Sequence, residues 1–248
     1  MFSKQSLLTV MVQAETPERI VELIDRSTPL GAEAFGMQFC RLQPKYRTKE
    51  VYCGLFSYTD KPIYATNYRL GYNEGKPDEQ IAEELLELAE AGAHICDLLG
   101  DLFDPQPDEM AKDTAAIAKQ IELIDALHAQ GAKVLLSSHV LKFTPYEGVL
   151  KIAEEQARRG ADICKIVTNA ENAEEQEANI DIIRRLKREF SHPFLFLCIG
   201  ECDRLRKEGG LIGNCMDLCV YEHDALSAPA QPRLEDFLTY RRDLECKK

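Results

Sequence analysis

No cluster of lysine or arginine in this chain is long enough to track a phosphate backbone, and the formal net charge is −12. A nucleic-acid partner and an anionic membrane surface are therefore disfavoured. No segment approaches eighteen uninterrupted apolar residues, so no membrane span is expected. The opening Met1-Phe2-Ser3-Lys4 leads into an apolar run without the h-region and cleavage site of a secretory signal, and a cytoplasmic location is expected. No Gly-x-Gly-x-x-Gly follows the first apolar run, which argues against a dinucleotide site. Repeats, linkers and low-complexity tracts are also missing, so residues 1–248 read as one domain.

Cysteine is not scarce: there are nine, at positions 40, 53, 96, 164, 198, 202, 215, 219 and 246. Three of them (Cys96, Cys164, Cys198) lie inside apolar runs, where free thiols behave as small hydrophobes. Only Cys198/Cys202 and Cys215/Cys219 are spaced four apart, and neither pair comes with the histidine pattern of a zinc site. Reduced thiols are expected, with neither a metal nor another cofactor.

What the chain does have is an alternation. Short apolar runs recur at residues 7–12, 34–39, 62–66, 94–99, 133–138, 162–167, 193–199 and 217–221. Most are followed by a stretch with helical periodicity. Thr16-Pro17 supplies an N-cap and a first-turn proline for a helix over 16–24. Residues 78–91 place Ile81, Leu85, Leu88 and Ala89 on one face, and residues 114–130 do the same with Ile117, Ile121, Ile124 and Leu127. Thr144-Pro145-Tyr146-Glu147 reads as a capping box before 149–159, and 173–190 and 233–244 supply two further helices. The stretch 42–60 is the poorest pattern. Strands separated by helices pair in parallel through crossover connections. Eight such units in 248 residues predict an α/β fold, a single (β/α)₈ TIM barrel, although an open sheet is compatible with the same alternation.

In such a barrel the chemistry gathers where strands end and loops begin. Lys165 stands in the run Asp162-Ile163-Cys164-Lys165-Ile166-Val167, short enough to be one buried strand. A lysine deprived of solvent loses part of its preference for the charged form, and a neutral amine attacks a carbonyl to form a Schiff base. The plainer alternative is an ammonium reaching water or a carboxylate at a strand end. The preceding run ends Ser137-Ser138-His139, and adjacent strands lie about 4.8 Å apart, so His139 and Lys165 can face one substrate. A lysine that makes an electron sink and a histidine that moves the proton it acidifies are the elements of imine chemistry. A histidine bonded to a neighbouring hydroxyl is the competing reading. Arg69, after the third run, is a candidate for an anionic group, or a solvated loop residue. Asp97 and Asp101, around the end of the fourth run, suit sugar-like hydroxyls or the orientation of Lys165, and Asp101 equally suits a loop cap.

Ser137-Ser138-His139, Thr144-Pro145, Gly160-Ala161-Asp162-Ile163-Cys164-Lys165-Ile166 and Ser227-Ala228-Pro229-Ala230-Gln231 together resemble type I 3-dehydroquinate dehydratase, most specifically from residue 130 onward. The resemblance implies a barrel, commonly a homodimer, with Lys165 as imine former and His139 as general acid/base. It also implies that Ser227 and Gln231 contact a small-molecule ketone from the closing loop. Arg69 and Glu74 match the family's arginine and glutamate after the third strand if a short insertion is allowed, and Arg206 falls near its seventh-strand arginine. Three stretches depart. The family's Glu-x-Arg-x-Asp of the second strand reads Gly36-Met37-Gln38-Phe39-Cys40, the Asp-x-Glu of the fourth reads Asp97-Leu98-Leu99, and Val140-Leu141 replaces Asp-Phe. Gly36 cannot replace a carboxylate, and Gln38 cannot make a charged bidentate contact. Three functions stay open: a dehydratase acting on 3-dehydroquinate, a class I aldolase or lyase acting on another polyhydroxy ketone, and a non-catalytic barrel with a binding role.

Overall fold

A computed structural model describes residues 6–246, and the reading of Met1–Lys4 lies outside them. The elements run β1 (Leu7–Val12), α1 (Pro17–Ser27), β2 (Ala34–Gln38), α2 (Lys49–Ser57), β3 (Ile63–Thr66), α3 (Asp78–Glu90), β4 (Ile95–Leu99) and α4 (Thr114–Ala129). They continue with β5 (Lys133–His139), α5 (Tyr146–Arg158), β6 (Ile163–Ala170), α6 (Ala173–Glu189), β7 (Phe194–Gly200), α7 (Asp203–Ile212), β8 (Met216–Val220) and α8 (Leu234–Glu245). The strands pair in parallel in the order β7-β6-β5-β4-β3-β2-β1-β8. Cys215 N donates to Phe194 O at 3.0 Å, drawing the two ends of that order together, so the sheet is a nearly closed (β/α)₈ barrel.

Each strand is buried on both faces, which is why the strands read as apolar runs rather than as alternations. Side chains of one parity fill the lumen: Met11, Tyr64, Ile95, Leu135, Ile163, Leu195 and Leu218. The other parity packs outward against the helices in two clusters, a larger one around β1 to β5 and a second around β6, β7, α5 and α6. Lys165 and His139 share the lumenal parity of Ile163 and Leu135 on their own strands.

Local chemistry sets most boundaries. Thr16 caps α1 by accepting from Arg19 N at 3.3 Å, with Pro17 at the first helical position. Asp113 caps α4 through Ala116 N at 2.9 Å, and Thr48 caps α2 through Val51 N. That cap fixes a helix inside the poorly patterned 42–60.

Two expectations change. Thr144 does not cap α5: its hydroxyl donates to Lys142 O at 3.2 Å, and Pro145 takes the N-cap position, so there is no capping box. The inward face of α4 is Ala116, Gln120, Leu123, Ile124 and Leu127, leaving Ile117 and Ile121 half-buried. The reason is Gln120, whose amide donates inward to Gly100 O and Leu102 O and rotates the helix toward the β4–α4 loop. The stretch after β7, to which the sequence pattern assigns no element, forms helix α7, and its paired Gly209-Gly210 weakens the helical signal.

Candidate active site

Lys165 is 5% exposed, in the lumen, where the register sets it beside Ser137 of β5 and Leu195 of β7. Its Nζ donates to Tyr68 Oη at 2.6 Å, Asp97 Oδ2 at 3.0 Å and Tyr64 Oη at 3.2 Å. Three acceptors meet the three donors of an ammonium. Both tyrosine hydroxyls also donate to Asp97 Oδ2, so four groups from β3, the loop after it, β4 and β6 form one closed cluster. Burial first, and then the charge of Asp97, pushes both phenols well above the ordinary tyrosine range, which keeps them protonated donors at neutral pH. The other oxygen of Asp97, Oδ1, is buried and has no hydrogen-bond partner among the described residues.

His139 ends β5, two residues beyond Ser137, which places its backbone about 7 Å nearer the mouth than that of Lys165. Its Nδ1 lies 2.5 Å from Glu109 Oε2, and the same oxygen accepts from His139 N at 2.9 Å. The tyrosine that holds Lys165 also meets this imidazole: the rings of Tyr68 and His139 pack edge to face at 5.6 Å. Glu109 comes from the β4–α4 loop with φ at +45°, a left-handed conformation that costs a non-glycine residue about 1–2 kcal/mol. The loop is held against that strain at several points. Arg159, buried on the end of α5, donates to Gly100 O at 2.9 Å, Ala111 O at 2.8 Å and Gln120 Oε1 at 2.7 Å. Ser138 Oγ donates to Asp108 O at 2.5 Å, beside Glu109.

The remaining sequence candidates scatter. Arg69 is not a free loop cation: Nε and Nη2 grip Asp78 at 2.7 Å, and Nη1 grips Asp101 Oδ1 at 2.7 Å. Burial works against its charge, and the two aspartates more than offset it. Asp101 also accepts from Gln106 N at 2.9 Å, so it caps the loop and does not orient Lys165. Glu74 is exposed in the β3–α3 loop, and the carboxylate at His139 is Glu109 instead. Arg206 is buried on α7, its Nε donating to Cys198 O at 2.8 Å and its guanidinium among the thiols of Cys198, Cys202 and Cys219. Among the described residues, no hydrogen bond or ion pair joins Arg206 to Lys165 or His139. Ser227 closes its own turn on Asp224 Oδ1 at 2.8 Å. Gln231 is buried within the β8–α8 loop, its Oε1 without a hydrogen-bond partner among the described residues. Gln38 is half-buried at the end of β2, paired with Thr66. All nine cysteines are free thiols.

The second strand is not merely stripped of charge. A Cβ on Gly36 would fall 2.2 Å from Met11 Sδ and 3.0 Å from Tyr64 Cδ1. The volume a carboxylate would enter at this position is filled by a methionine and a tyrosine of the lysine cluster.

Sequence reasoning missed Tyr64, Tyr68, Glu109 and Met11. The tyrosines had a signal: strand alternation puts positions 64, 66 and 68 on one face, the face of Lys165 across the lumen. Glu109 had none, because it lies ten residues beyond β4 in a loop whose path no local pattern dictates.

Residues 115–243 match the family model of the type I 3-dehydroquinase. The 3-dehydroquinate dehydratase of Alkaliphilus oremlandii is 31% identical over 116 residues, covering 46% of this chain and 45% of that protein. That of Pyrococcus abyssi is 32% identical over 117 residues, covering 46% and 51%. The chain thus aligns with about half the length of the curated relatives it matches. In fold the likeness runs throughout. The type I 3-dehydroquinate dehydratase of Clostridium difficile superposes with a TM-score of 0.80 at 15% identity, over 100% of this chain and 96% of that one. The enzyme of Geobacillus kaustophilus gives 0.78 at 16%, over 98% and 92%. The family match takes in β5 with His139, β6 with Lys165 and the β8–α8 loop, and on it the chain belongs to the type I 3-dehydroquinase family.

Proposed function

We propose that the protein is a Schiff-base-forming hydro-lyase that dehydrates 3-dehydroquinate or a closely related hydroxylated cyclic ketone. The observation that carries the reading is the pairing of a lumenal lysine, held by a buried aspartate, with a glutamate-bound histidine on the next strand. Lys165 Nζ attacks the ketone carbon, and loss of water leaves an iminium. The iminium acidifies the adjacent C–H, whose proton passes to His139; the electrons form an enamine and expel the β-hydroxyl, which leaves as water with a proton from the same imidazole. Hydrolysis of the conjugated iminium returns the enone and the free amine. Glu109 holds the imidazole by its Nδ1 side, leaving Nε2 for the substrate. In the related structure from Clostridium difficile, the enzyme carries covalent modified comenic acid. That chemistry agrees with the reading of a reactive site in this family.

The substrate-facing shell favours a second reading of the same chemistry, a different polyhydroxy ketone. Met11 and Tyr64 fill the space over Gly36, Arg69 is committed to Asp78 and Asp101, and Arg206 is buried on α7 with its Nε on Cys198 O. An anionic substrate is therefore met by fewer cations. A homodimer in the cytoplasm, working as one barrel domain, belongs to the same proposal and rests on the family resemblance. The test is borohydride trapping with 3-dehydroquinate and with neutral polyhydroxy ketones, followed by peptide mapping. An adduct on Lys165 supports the imine. An adduct confined to another lysine, or none with any ketone, leaves a binding barrel instead.

A further inference from the structure

The hydrogen bonds around Lys165 contain more than is needed to hold an ammonium. Asp97 Oδ2 alone neutralises it at 3.0 Å. A buried lysine–aspartate pair needs further hydrogen bonds for its remaining lone pairs and protons. Here two phenols converge on the same nitrogen, and both donate to the same carboxylate oxygen. They are not equivalent. Tyr64 lies within β3, 1% exposed, with its ring against the Gly36 backbone, at the closed end of the cluster. Tyr68 lies two residues beyond the end of β3, is 8% exposed, has the shorter contact at 2.6 Å and packs against His139. Its hydroxyl is the one between the amine and the mouth.

The geometry points to Tyr68 as a further catalytic residue, the acid and base that forms and dehydrates the carbinolamine at Lys165, with Asp97 as the proton store behind it. The inference rests on the imine reading above and adds the group that moves its protons. In the resting cluster Lys165 is an ammonium and Asp97 a carboxylate. One proton passes from Nζ to Asp97 Oδ2, and the free amine attacks the carbonyl carbon. The N–C bond forms as the carbonyl π pair moves to oxygen. That oxygen takes the Tyr68 proton, and the phenolate takes a proton from the nitrogen, giving the neutral carbinolamine. Tyr68 then protonates the departing hydroxyl while drawing the stored proton from Asp97. The C–O bond breaks, water leaves, and the nitrogen lone pair closes the C=N bond. Lysine ammonium and ketone become iminium and water, and both Tyr68 and Asp97 are restored. A neutral phenol suits this task, because it keeps its proton until a base in contact with it draws it off. His139 stays free for the C–H step, being bonded to Glu109 and touching Tyr68 only ring to ring.

The groups facing the Tyr68 hydroxyl are Tyr64, Asp97, Lys165 and Ser137, with the His139–Glu109 pair against its ring. The experiment follows the borohydride-trapped Lys165 adduct against time in the native protein, Tyr68→Phe and Tyr64→Phe, with whichever ketone the native protein traps. Tyr68→Phe is expected to slow adduct formation by about 10²–10⁴-fold while reaching the native yield. Tyr64→Phe is expected to slow it less than tenfold. Native-rate adduct formation in Tyr68→Phe overturns the relay and leaves the imine enzyme standing. If Lys165 traps no ketone in the native protein, the relay and the proposed function fall together. Should Tyr68→Phe not fold, 3-fluorotyrosine placed at position 68 keeps ring and hydroxyl but makes the phenol more acidic. The alkaline limb of adduct formation then moves to lower pH, and an unmoved limb rejects Tyr68 as the acid.

Discussion

Glu109 offers the sharpest test of how the candidate site is assembled, because it bonds His139 from a loop and, among the described residues, makes no side-chain hydrogen bond or ion pair with β6. The perturbation is Glu109→Gln, which keeps length and shape and removes the charge. In the native protein one carboxylate oxygen takes both the His139 backbone N–H at 2.9 Å and the Nδ1 side of its ring at 2.5 Å. A hydrogen bond to a charged group contributes about 1.5–3 kcal/mol. The Glu109 side chain is 29% exposed, and solvent screening brings the expected loss to about 1.5–2 kcal/mol. Part of that loss falls on the transition state in which the imidazole carries the proton, since a positive ring needs the carboxylate most. At about 1.4 kcal/mol per decade, the whole loss would slow the proton-transfer step roughly ten- to thirtyfold, which is the upper bound expected. His139→Ala should slow it more, by about 10²–10⁴-fold. The assay is steady-state turnover alongside borohydride trapping. Glu109→Gln should lower kcat and leave the yield of Lys165 adduct intact. Unchanged turnover would refute the argument that the carboxylate supports the base. Loss of the adduct would show that Glu109 acts on the lysine cluster instead.

Three further outcomes follow from packing. Lys165→Met removes the cation from a carboxylate whose side chain is fully buried, so it should abolish the adduct and also cost about 3–5 kcal/mol in chemical denaturation; Lys165→Met with Asp97→Asn should recover part of that stability and none of the activity. Gly36→Glu with Gln38→Arg should not by itself improve kcat/KM for 3-dehydroquinate, because Met11 occupies the volume; adding Met11→Ala should allow the improvement, and a full gain without it would contradict the packing. Arg158 and then Arg159 hold the Glu155 carboxyl down to about 2 from its ordinary 4.5; a lowered carboxyl stabilises the fold above 4.5 and loses that contribution as pH falls toward 2, so the drop in unfolding free energy between pH 5 and pH 2 should shrink by about 1 kcal/mol in Glu155→Gln.

The barrel was legible because its strands are buried on both faces, and eight short apolar runs stand out between amphipathic helices. Where the reading slipped, a polar side chain had been turned inward to serve a loop. Gln120 faces the core of α4 because it bonds Gly100 O and Leu102 O, and a hydrophobic count cannot anticipate that. The placement of the proposed pair was legible for a different reason: Lys165 violates the burial preference of its own strand, and such a violation survives without knowledge of any neighbour. The shell around the pair was not legible. Arg69 and Asp101 have the composition of a recognition site, yet they bond each other, and sequence alone does not say whether a charge at a strand end is presented or neutralised.

That difference bears on how the site has changed. Gly36 looks, in sequence, like a carboxylate removed with nothing put in its place. In three dimensions the vacated volume belongs to Met11 and Tyr64, and Tyr64 is bonded to the same carboxylate that holds the lysine. The missing glutamate and the tyrosine cluster are therefore one alteration: a large carboxylate-bearing side chain at position 36 and the Tyr64 ring compete for the same space. A ligand entering the lumen meets aromatic faces and phenolic hydroxyls on the β3 side, where the family pattern would offer charge. Selectivity should accordingly shift from anionic groups toward neutral hydroxylated rings, while the Lys165–His139 pair, built on β5 and β6 with its own supports, is left undisturbed.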